Sequence, residues 1–121
     1  SYTNVDYSNA MRARELWQRD LAKVFADVDI ILSPTLPTLI PPVEEEKSLL
    51  EATKDATRNT YAGAFGKLPG LSIPCGFTSD GLPAGLQLEA SWWNEPLLLK
   101  VGAAFQRVTN WHTYKPKMAK I

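Results

Sequence analysis

The sequence is poor in the residues that form disulfides and zinc sites, since it contains one cysteine, Cys75, and one histidine, His112. A single cysteine excludes a disulfide within the chain, which is consistent with a reducing compartment, so we expect a cytoplasmic protein. The cysteine and histidine spacings of zinc sites are likewise impossible. The acidic run 44–46 has no histidine or second acidic cluster near it, which favours a solvated turn over a metal site. We therefore expect neither a metal nor a cofactor.

The sequence also lacks an excess of charge and any long apolar run. Its 13 basic and 13 acidic residues give a net charge of zero, so nothing favours direct binding to nucleic acid. No apolar stretch approaches the roughly 20 residues that span a bilayer, and residues 1–4 do not begin a signal peptide. Its 121 residues suffice for one hydrophobic core, which indicates one domain or one piece of a larger domain.

The motifs of common nucleophilic and phosphate-binding enzymes are missing. No G-x-S-x-G turn presents a serine, and Gly63, Gly66 and Gly70 fit neither phosphate-binding pattern. His112 lies near a basic tail, where an exposed surface residue is favoured over a member of a Ser-His-Asp triad. Cys75 has no basic neighbour in the sequence to activate its thiol, so a small buried strand residue is favoured over a nucleophile. The residues alone therefore indicate no self-sufficient active site.

Hydrophobic periodicity and end signals predict three helices. The first extends from Tyr7 to Val28 and carries apolar residues at spacings of three and four on one face. The second extends from Leu49 to about Tyr61 and follows Ser48, whose spacing from Glu51 matches a capping box. The third extends from Asn94, the expected cap, to Val108.

Three shorter segments are predicted to be strands. Ile30–Leu32 is a β-branched run after the first helix, and Leu71–Phe77 is a strand that Pro74 places at an edge or a bulge. The turn Ser79–Gly81 then leads into the strand Ala84–Leu88. The resulting order, α-β-α-β-β-α, predicts an α/β architecture in which helices flank a sheet.

The remaining segments are predicted to be connections. Glycines break the chain between residues 63 and 70. Glu89–Trp93 is expected to be a connector in which two adjacent tryptophans cover an edge of the core rather than stack on a ligand. Residues 111–121 are expected to form a polar, basic tail.

Several segments resemble, in order, the C-terminal portion of amidase-signature enzymes. Residues 27–37, DVDIILSPTLP, are similar to the family's D-[VI]-[IL]-[IL]-x-P-T-x-P. Residues 68–77, LPGLSIPCGF, are similar to L-P-[AG]-[IL]-S-[VI]-P-[CAG]-G-F, and residues 81–88, GLPAGLQL, to G-L-P-[VA]-G-[LV]-Q-[LI]. Residues 7–14 resemble a Y-x-x-A-x-x-x-R helix, and Glu95 begins an E-x-x-L-L helix. The match covers nearly the whole chain.

The resemblance implies that residues 1–121 are the C-terminal segment of a single α/β amidase-signature domain with a large mixed sheet flanked by helices. Such enzymes hydrolyse amides through a Ser–cis-Ser–Lys triad, in which the first serine forms an acyl-enzyme and backbone N–H groups hold the oxyanion. The triad lies in the N-terminal half of these enzymes, within a Gly/Ser-rich region that this sequence lacks. We therefore expect no catalytic residue here, not even Lys67, and a segment that supplies scaffold and pocket wall but is inactive alone.

The resemblance also indicates where substrate would lie. Before residues 68–77 the family carries T-x-P-x-N-x-x-G, a loop close to the substrate pocket. Thr60 matches its threonine, whereas Ala64 and Lys67 replace its asparagine and glycine, so substrate identity is open. The substrate-binding residues implied by this match are Thr57, Arg58, Thr60 and Tyr61.

The same loop bears on which amide is used. In the A subunit of glutamine-using tRNA amidotransferases, an aspartate about three residues before that threonine helps to recognise the substrate. Thr57 occupies this position, and Asp55 lies slightly out of register, which favours a general amidase. The alternatives are a fragment of such an amidotransferase or a non-catalytic binding or interaction domain.

The expected partners follow from the same resemblance and from the apolar helix faces. They are a small-molecule amide in the parent enzyme and either the missing N-terminal portion or a second copy of this chain. Neither a nucleic acid bound directly nor a membrane is expected. The apolar face of the first helix would otherwise be exposed over a larger area than soluble monomers usually show.

Overall fold

The computed structural model describes residues 2–38 and 48–116. Four α-helices, three strands and a short 3₁₀ helix follow one another in the described chain, so the predicted α/β fold is confirmed. In chain order they are α1 (Asn4–Asp27), β1 (Ile30–Pro34), α2 (Leu49–Thr57), α3 (Tyr61–Gly66), β2 (Gly70–Phe77), β3 (Pro83–Ala90), α4 (Glu95–Val108) and the 3₁₀ helix (Trp111–Thr113).

Helix α1 begins three residues before the predicted Tyr7. The Asp6 carboxylate accepts a hydrogen bond from the backbone N–H of Thr3 at 2.8 Å, and the Thr3 hydroxyl accepts one from the N–H of Asp6 at 3.2 Å. This reciprocal capping box satisfies two of the N–H groups that a helix start leaves unpaired. Apolar periodicity missed it because the residues of the first turn, Val5 included, are exposed and do not extend the buried face.

The predicted second helix is wrong at its C-terminal end. Helix α2 ends at Thr57, and a separate helix, α3, occupies Tyr61–Gly66, where the glycines were expected to break the chain. Gly63 and Gly66 are both buried within α3. Glycine weakens a helix interior by about 1 kcal/mol relative to alanine, but here it allows α3 to lie directly against neighbouring side chains.

The sheet has the order β1-β3-β2, and both strand pairs are antiparallel. Leu88 of β3 pairs with Leu32 of β1 and with Leu71 of β2, which sets the register. The predicted irregularity at Pro74 is confirmed, because the register shifts between Pro74 and Gly76 on β2, an edge strand of the described sheet.

The predicted connector Glu89–Trp93 is wrong in its first two residues. Strand β3 continues to Ala90, which pairs with Ile30 and whose N–H donates to the Pro69 carbonyl at 3.3 Å. The sequence analysis ended the strand at Leu88 because the next residue, Glu89, is charged. Trp92 is half-buried and contacts Phe25 edge to face, as expected for a tryptophan that covers an edge of the core, whereas Trp93 is 90% exposed.

The hydrophobic core lies between one face of the sheet and α4. Alternate side chains of a strand point to opposite faces, so the even-numbered residues of β3 face α4. Ile73, Leu88, Ala90 and Leu98 are buried there. Helix α4 begins after Asn94 as predicted, but the Asn94 side chain makes no capping hydrogen bond.

The predicted apolar face of α1 is largely exposed. Leu21 is buried, whereas Trp17 and Val24 expose more than a third of their surface. Within residues 2–38 and 48–116, no helix combines the length and the apolar character needed to cross a bilayer.

Residues 111–116 differ from the predicted polar tail. Trp111 begins the 3₁₀ helix and contacts Phe77 at the end of β2, with the ring centroids 6.1 Å apart. The aromatic content of this segment, rather than its charge, decides where it lies.

Candidate functional site

The four predicted substrate-binding residues lie at the corner between α2 and α3. Thr57 ends α2, and its hydroxyl donates to the Thr53 carbonyl at 2.7 Å. The Thr60 backbone N–H donates to the Thr57 carbonyl at 3.0 Å, and the Thr60 hydroxyl also donates to it at 3.3 Å. Arg58 and Tyr61 are exposed. Two of the four side chains therefore bond to the backbone of the corner and two are open to solvent, and their role in binding stays a prediction.

Asn59, which the sequence motifs do not single out, anchors this corner to the sheet. Its amide Nδ2 donates to the carbonyl of Pro34, the last residue of β1, at 2.8 Å. This bond joins the corner to the start of the segment 35–38. No sequence signal could have found it, because the bond uses a backbone oxygen that any residue would supply.

Two hydroxyls meet beside this anchor. Thr35 Oγ1 and Ser72 Oγ are 2.6 Å apart, with either able to donate. They lie over Gly85 of β3, where a Cβ atom would be 2.8 Å from Thr35 Oγ1 and 3.2 Å from Ser72 Oγ. Gly85 therefore leaves the space that the hydroxyl pair occupies.

The hydroxyl pair lines a cavity of about 410 Å³ at the end of the sheet, which we call the sheet-end cavity. Its walls are formed by the segment 34–38, by Ser72 and by residues at both ends of the β2–β3 turn. The lining contains threonine and serine hydroxyls with proline, leucine and alanine, and none of these residues is ionisable. Such a site is suited to a neutral, partly polar group.

The polar face of the sheet continues from this cavity under α3. Gln87 and Glu89 follow Gly85 on the same face of β3, and each is only 9% exposed. The Glu89 carboxylate lies where a side chain on Gly63 would be, so α3 covers it closely. Burial raises the pKa of Glu89, and a hydrogen bond from Gln87 opposes this in part.

The raised pKa of Glu89 makes stability depend on pH. The folded state holds the proton more tightly than the unfolded state, so the contribution of this group to the free energy of unfolding is highest in acid. It should fall as pH rises above the ordinary value of 4.5 and through the raised pKa. In the Glu89→Gln variant the free energy of unfolding should not show this decrease with pH. The variant should therefore be more stable than the wild type at neutral pH. Urea unfolding at several pH values measures this, with Glu15→Gln on the exposed surface of α1 as control. A Glu89→Gln profile parallel to that of the wild type would contradict it.

The structure also shows where the other candidate residues from the sequence analysis lie. Cys75 is half-buried, and its thiol donates to the Ala84 carbonyl with a sulfur–oxygen distance of 3.5 Å. Lys67 is exposed and adopts a left-handed conformation, with φ of 59°, at the C-terminal end of α3. His112 is exposed, as predicted. The acidic run 44–46 lies outside the described residues.

A three-stranded antiparallel sheet with α4 on one face and α3 on the other, and a hydroxyl-lined cavity at its end, define an α/β segment with a candidate binding site. The particular family follows from sequence comparison. Residues 1–99 match the profile of the Amidase family, and the chain belongs to that family.

Curated relatives and solved structures agree with this assignment. Over 119 residues the chain is 40% identical to the A subunit of the glutamyl-tRNA(Gln) amidotransferase of Chloroflexus aggregans, a match that covers 98% of this chain and 24% of that protein. It is 30% identical to the corresponding protein of Thermotoga maritima, with a TM-score of 0.61, covering 69% of this chain and 18% of that one. A 6-aminohexanoate cyclic dimer hydrolase shares the fold with a TM-score of 0.84 at 22% identity, over 95% of this chain and 26% of that one. The chain therefore spans about a quarter of the length of these relatives.

Proposed function

We propose that this chain is the C-terminal segment of an amide hydrolase, in which it supplies scaffold and one wall of the substrate pocket. The observation that carries the proposal is the family match over residues 1–99 in a chain that contains none of the Gly/Ser-rich sequence in which the family's catalytic serines lie. The reaction converts an amide to a carboxylate and an amine or ammonia. The nucleophile and its lysine base belong to the N-terminal part of the parent enzyme, and residues 1–121 form one domain with that part.

The sheet-end cavity supports a neutral amide as substrate. Free glutamine carries an ammonium and a carboxylate group, and each loses hydration on entering a pocket unless a charged or strongly polar partner replaces the water. Within residues 2–38 and 48–116, the lining of the sheet-end cavity offers hydroxyls and no ionisable side chain. Thr57, at the position where glutamine-using relatives carry an aspartate, adds no charge at the adjoining corner. Both features favour a general amidase.

The second candidate is the A component of a glutamine-using tRNA amidotransferase. It is favoured by a specific observation, since relatives of that name are between 34% and 40% identical to this chain over nearly all of its length. In that case Asp55 would supply the carboxylate that recognises the substrate, in place of the aspartate that Thr57 replaces. The two candidates differ in the amide donor and share the acyl-enzyme chemistry.

The exposed apolar residues of α1 support association with another surface. Val24 and Leu16 are 44% and 59% exposed, and Val28, which follows the helix, is 43% exposed. We propose that the N-terminal part of the parent covers this face. In its absence a second copy of the chain would do so. The single cysteine fits a reducing compartment, which supports a cytoplasmic location for the parent.

Amide assays on the isolated chain and on the longer protein that contains it test this proposal. The chain alone should release no ammonia from propionamide or glutamine above the buffer rate. The longer protein should show a kcat/KM for propionamide that exceeds the value for glutamine by about 100-fold, the discrimination typical of a pocket that lacks a needed polar partner. Thr57→Asp should narrow this ratio, and Thr57→Asn is the neutral control.

Two results would contradict the proposal. Turnover by the isolated chain that survives Cys75→Ala and Ser72→Ala would contradict its role as a non-catalytic segment. Equal kcat/KM values for the two amides would favour the amidotransferase.

A further inference from the structure

A second cavity lies at the other side of the β2–β3 turn, between that turn and residues 111–116. Its volume is about 620 Å³, and it shares only Pro83 with the sheet-end cavity. We call it the hairpin cavity. Pockets that enclose small ligands in proteins usually measure between roughly 300 and 1,000 Å³, so its size suits a small molecule. Neither the family match nor the substrate-binding corner accounts for it.

Three aromatic rings form the wall of the hairpin cavity. Phe77 contacts Trp111 and Tyr114 edge to face, with centroids 6.1 Å and 5.3 Å away, and Trp111 and Tyr114 are stacked at 5.8 Å with planes 30° apart. Each ring contacts the other two, so the three rings form one continuous apolar wall. Phe77 and Tyr114 remain 46% and 56% exposed, which leaves apolar surface available to a planar ligand.

Two glycines are part of the lining of the hairpin cavity. Gly76 and Gly81 have φ of 148° and 79°, a conformation that side chains rarely adopt. A Cβ atom at Gly76 would lie 4.0 Å from Trp111 Cζ2, an ordinary van der Waals contact, and one at Gly81 would face open space, with no other atom within 4 Å. No side chain at these two positions therefore covers the aromatic wall.

Lys115 gives the lining of the hairpin cavity a positive charge, and His112 adds an imidazole N–H donor. Among the described residues, the lining contains no carboxylate. Both are exposed, so they lie at the mouth of the cavity rather than at its floor. A cationic mouth above an aromatic wall complements a flat apolar body that carries a carboxylate, since the ring buries apolar area and the ammonium pairs with the anion.

We propose that the hairpin cavity is a binding site for a small planar aromatic carboxylate. The aromatic rings of Phe77, Trp111 and Tyr114 hold its ring, and Lys115 with His112 holds its carboxylate. This inference does not rest on the proposed amidase function, because it uses other residues and needs no catalytic group.

A titration of the ¹⁵N-labelled 121-residue protein with 2-naphthoate tests the proposal. The indole N–H signals of the four tryptophans are assigned by single Trp→Phe variants. The Trp111 signal should shift saturably, while those of Trp17 and Trp92, whose indoles donate to the backbone of α3, should not. Lys115→Gln should weaken binding by about 1.5- to fivefold, the range of an exposed ion pair. Lys100→Gln, a change of the same kind on the exposed surface of α4, should leave the affinity unchanged.

Other probes separate the proposal from its competitors. The neutral 2-naphthylmethanol should bind more weakly than 2-naphthoate, and equal affinity would overturn the assignment of an anionic ligand. Tyr114→Ala, at an exposed position, should weaken binding of both probes while leaving the remaining spectrum in place. Absence of a saturable Trp111 shift, or equal shifts of all four indoles, would overturn the site. A Trp111 shift that depends on protein concentration without ligand would assign the cavity to contact between two copies of the chain and would also overturn it.

Discussion

Gly66→Val is expected to lower the free energy of unfolding by about 3 kcal/mol, the upper end of the usual cost of overpacking. A Cβ atom at this position would lie 2.5 Å from Leu21 Cδ1 and 3.3 Å from the Trp17 indole. Leu21 is the buried residue of α1, so it has little room to move away. The Gly66 carbonyl also accepts hydrogen bonds from Gln18 at 3.0 Å and Trp92 at 2.9 Å, and displacing α3 would lengthen both. Urea unfolding followed by circular dichroism measures the loss.

Ala64→Val is the matched control, because Ala64 lies on the exposed side of the same helix. It introduces the same β-branched side chain and should cost only the difference in helix propensity, below about 1 kcal/mol. Equal losses for the two variants would mean that α3 does not pack on α1 through Gly66. A loss confined to Gly66→Val would assign the effect to this contact.

Leu88→Ala is expected to cost about 3 kcal/mol, which is typical of removing a buried leucine side chain without refilling its cavity. Leu88 is 1% exposed and lies on the central strand, where Leu32 and Leu71 pair with it from either side. The measurement is the midpoint of urea unfolding with the slope compared between variants, since an unchanged slope shows that stability alone has changed.

Leu99→Ala provides the comparison for Leu88→Ala. Leu99 is 65% exposed on α4, one residue from the buried Leu98. The same chemical truncation should therefore cost less than about 1 kcal/mol, as is usual for surface substitutions. A cost at Leu99 as large as that at Leu88 would show that α4 presents a different face to the sheet, or that this surface is buried against a second copy of the chain.

The candidate site illustrates what sequence motifs leave out. The family pattern identifies the corner 57–61 because its threonine, matched by Thr60, lies a set number of residues before the motif at 68–77. Asn59 carries no motif, yet its side chain donates a hydrogen bond from this corner to the Pro34 carbonyl at the end of β1. Thr35 and Ser72 are 37 positions apart, and only the antiparallel pairing of β1 and β2 with β3 brings their hydroxyls to 2.6 Å.

Glu89 illustrates the opposite error. An ionisable residue after Leu88 predicts the start of a connector, because charged groups are rarely buried without a partner. In the structure β3 continues through it, and α3 covers its carboxylate at Gly63. Burial of this group follows from how closely Gly63 lets α3 approach it, which is a property of packing rather than of composition.

The sequence by itself determined the order of the predicted helices and strands, that Pro74 lies at an edge or a bulge, and the family, because these depend on periodicity, backbone restriction and local motifs. It also determined that no Gly/Ser-rich catalytic signature is present. The tertiary structure alone decided that the glycines near residue 66 form a helix, that the tail packs through Trp111 and where the two cavities lie. The physical reason is that close approach and cavity shape arise from residues distant in the chain, and local propensities of about 1 kcal/mol or less are readily overridden by such packing.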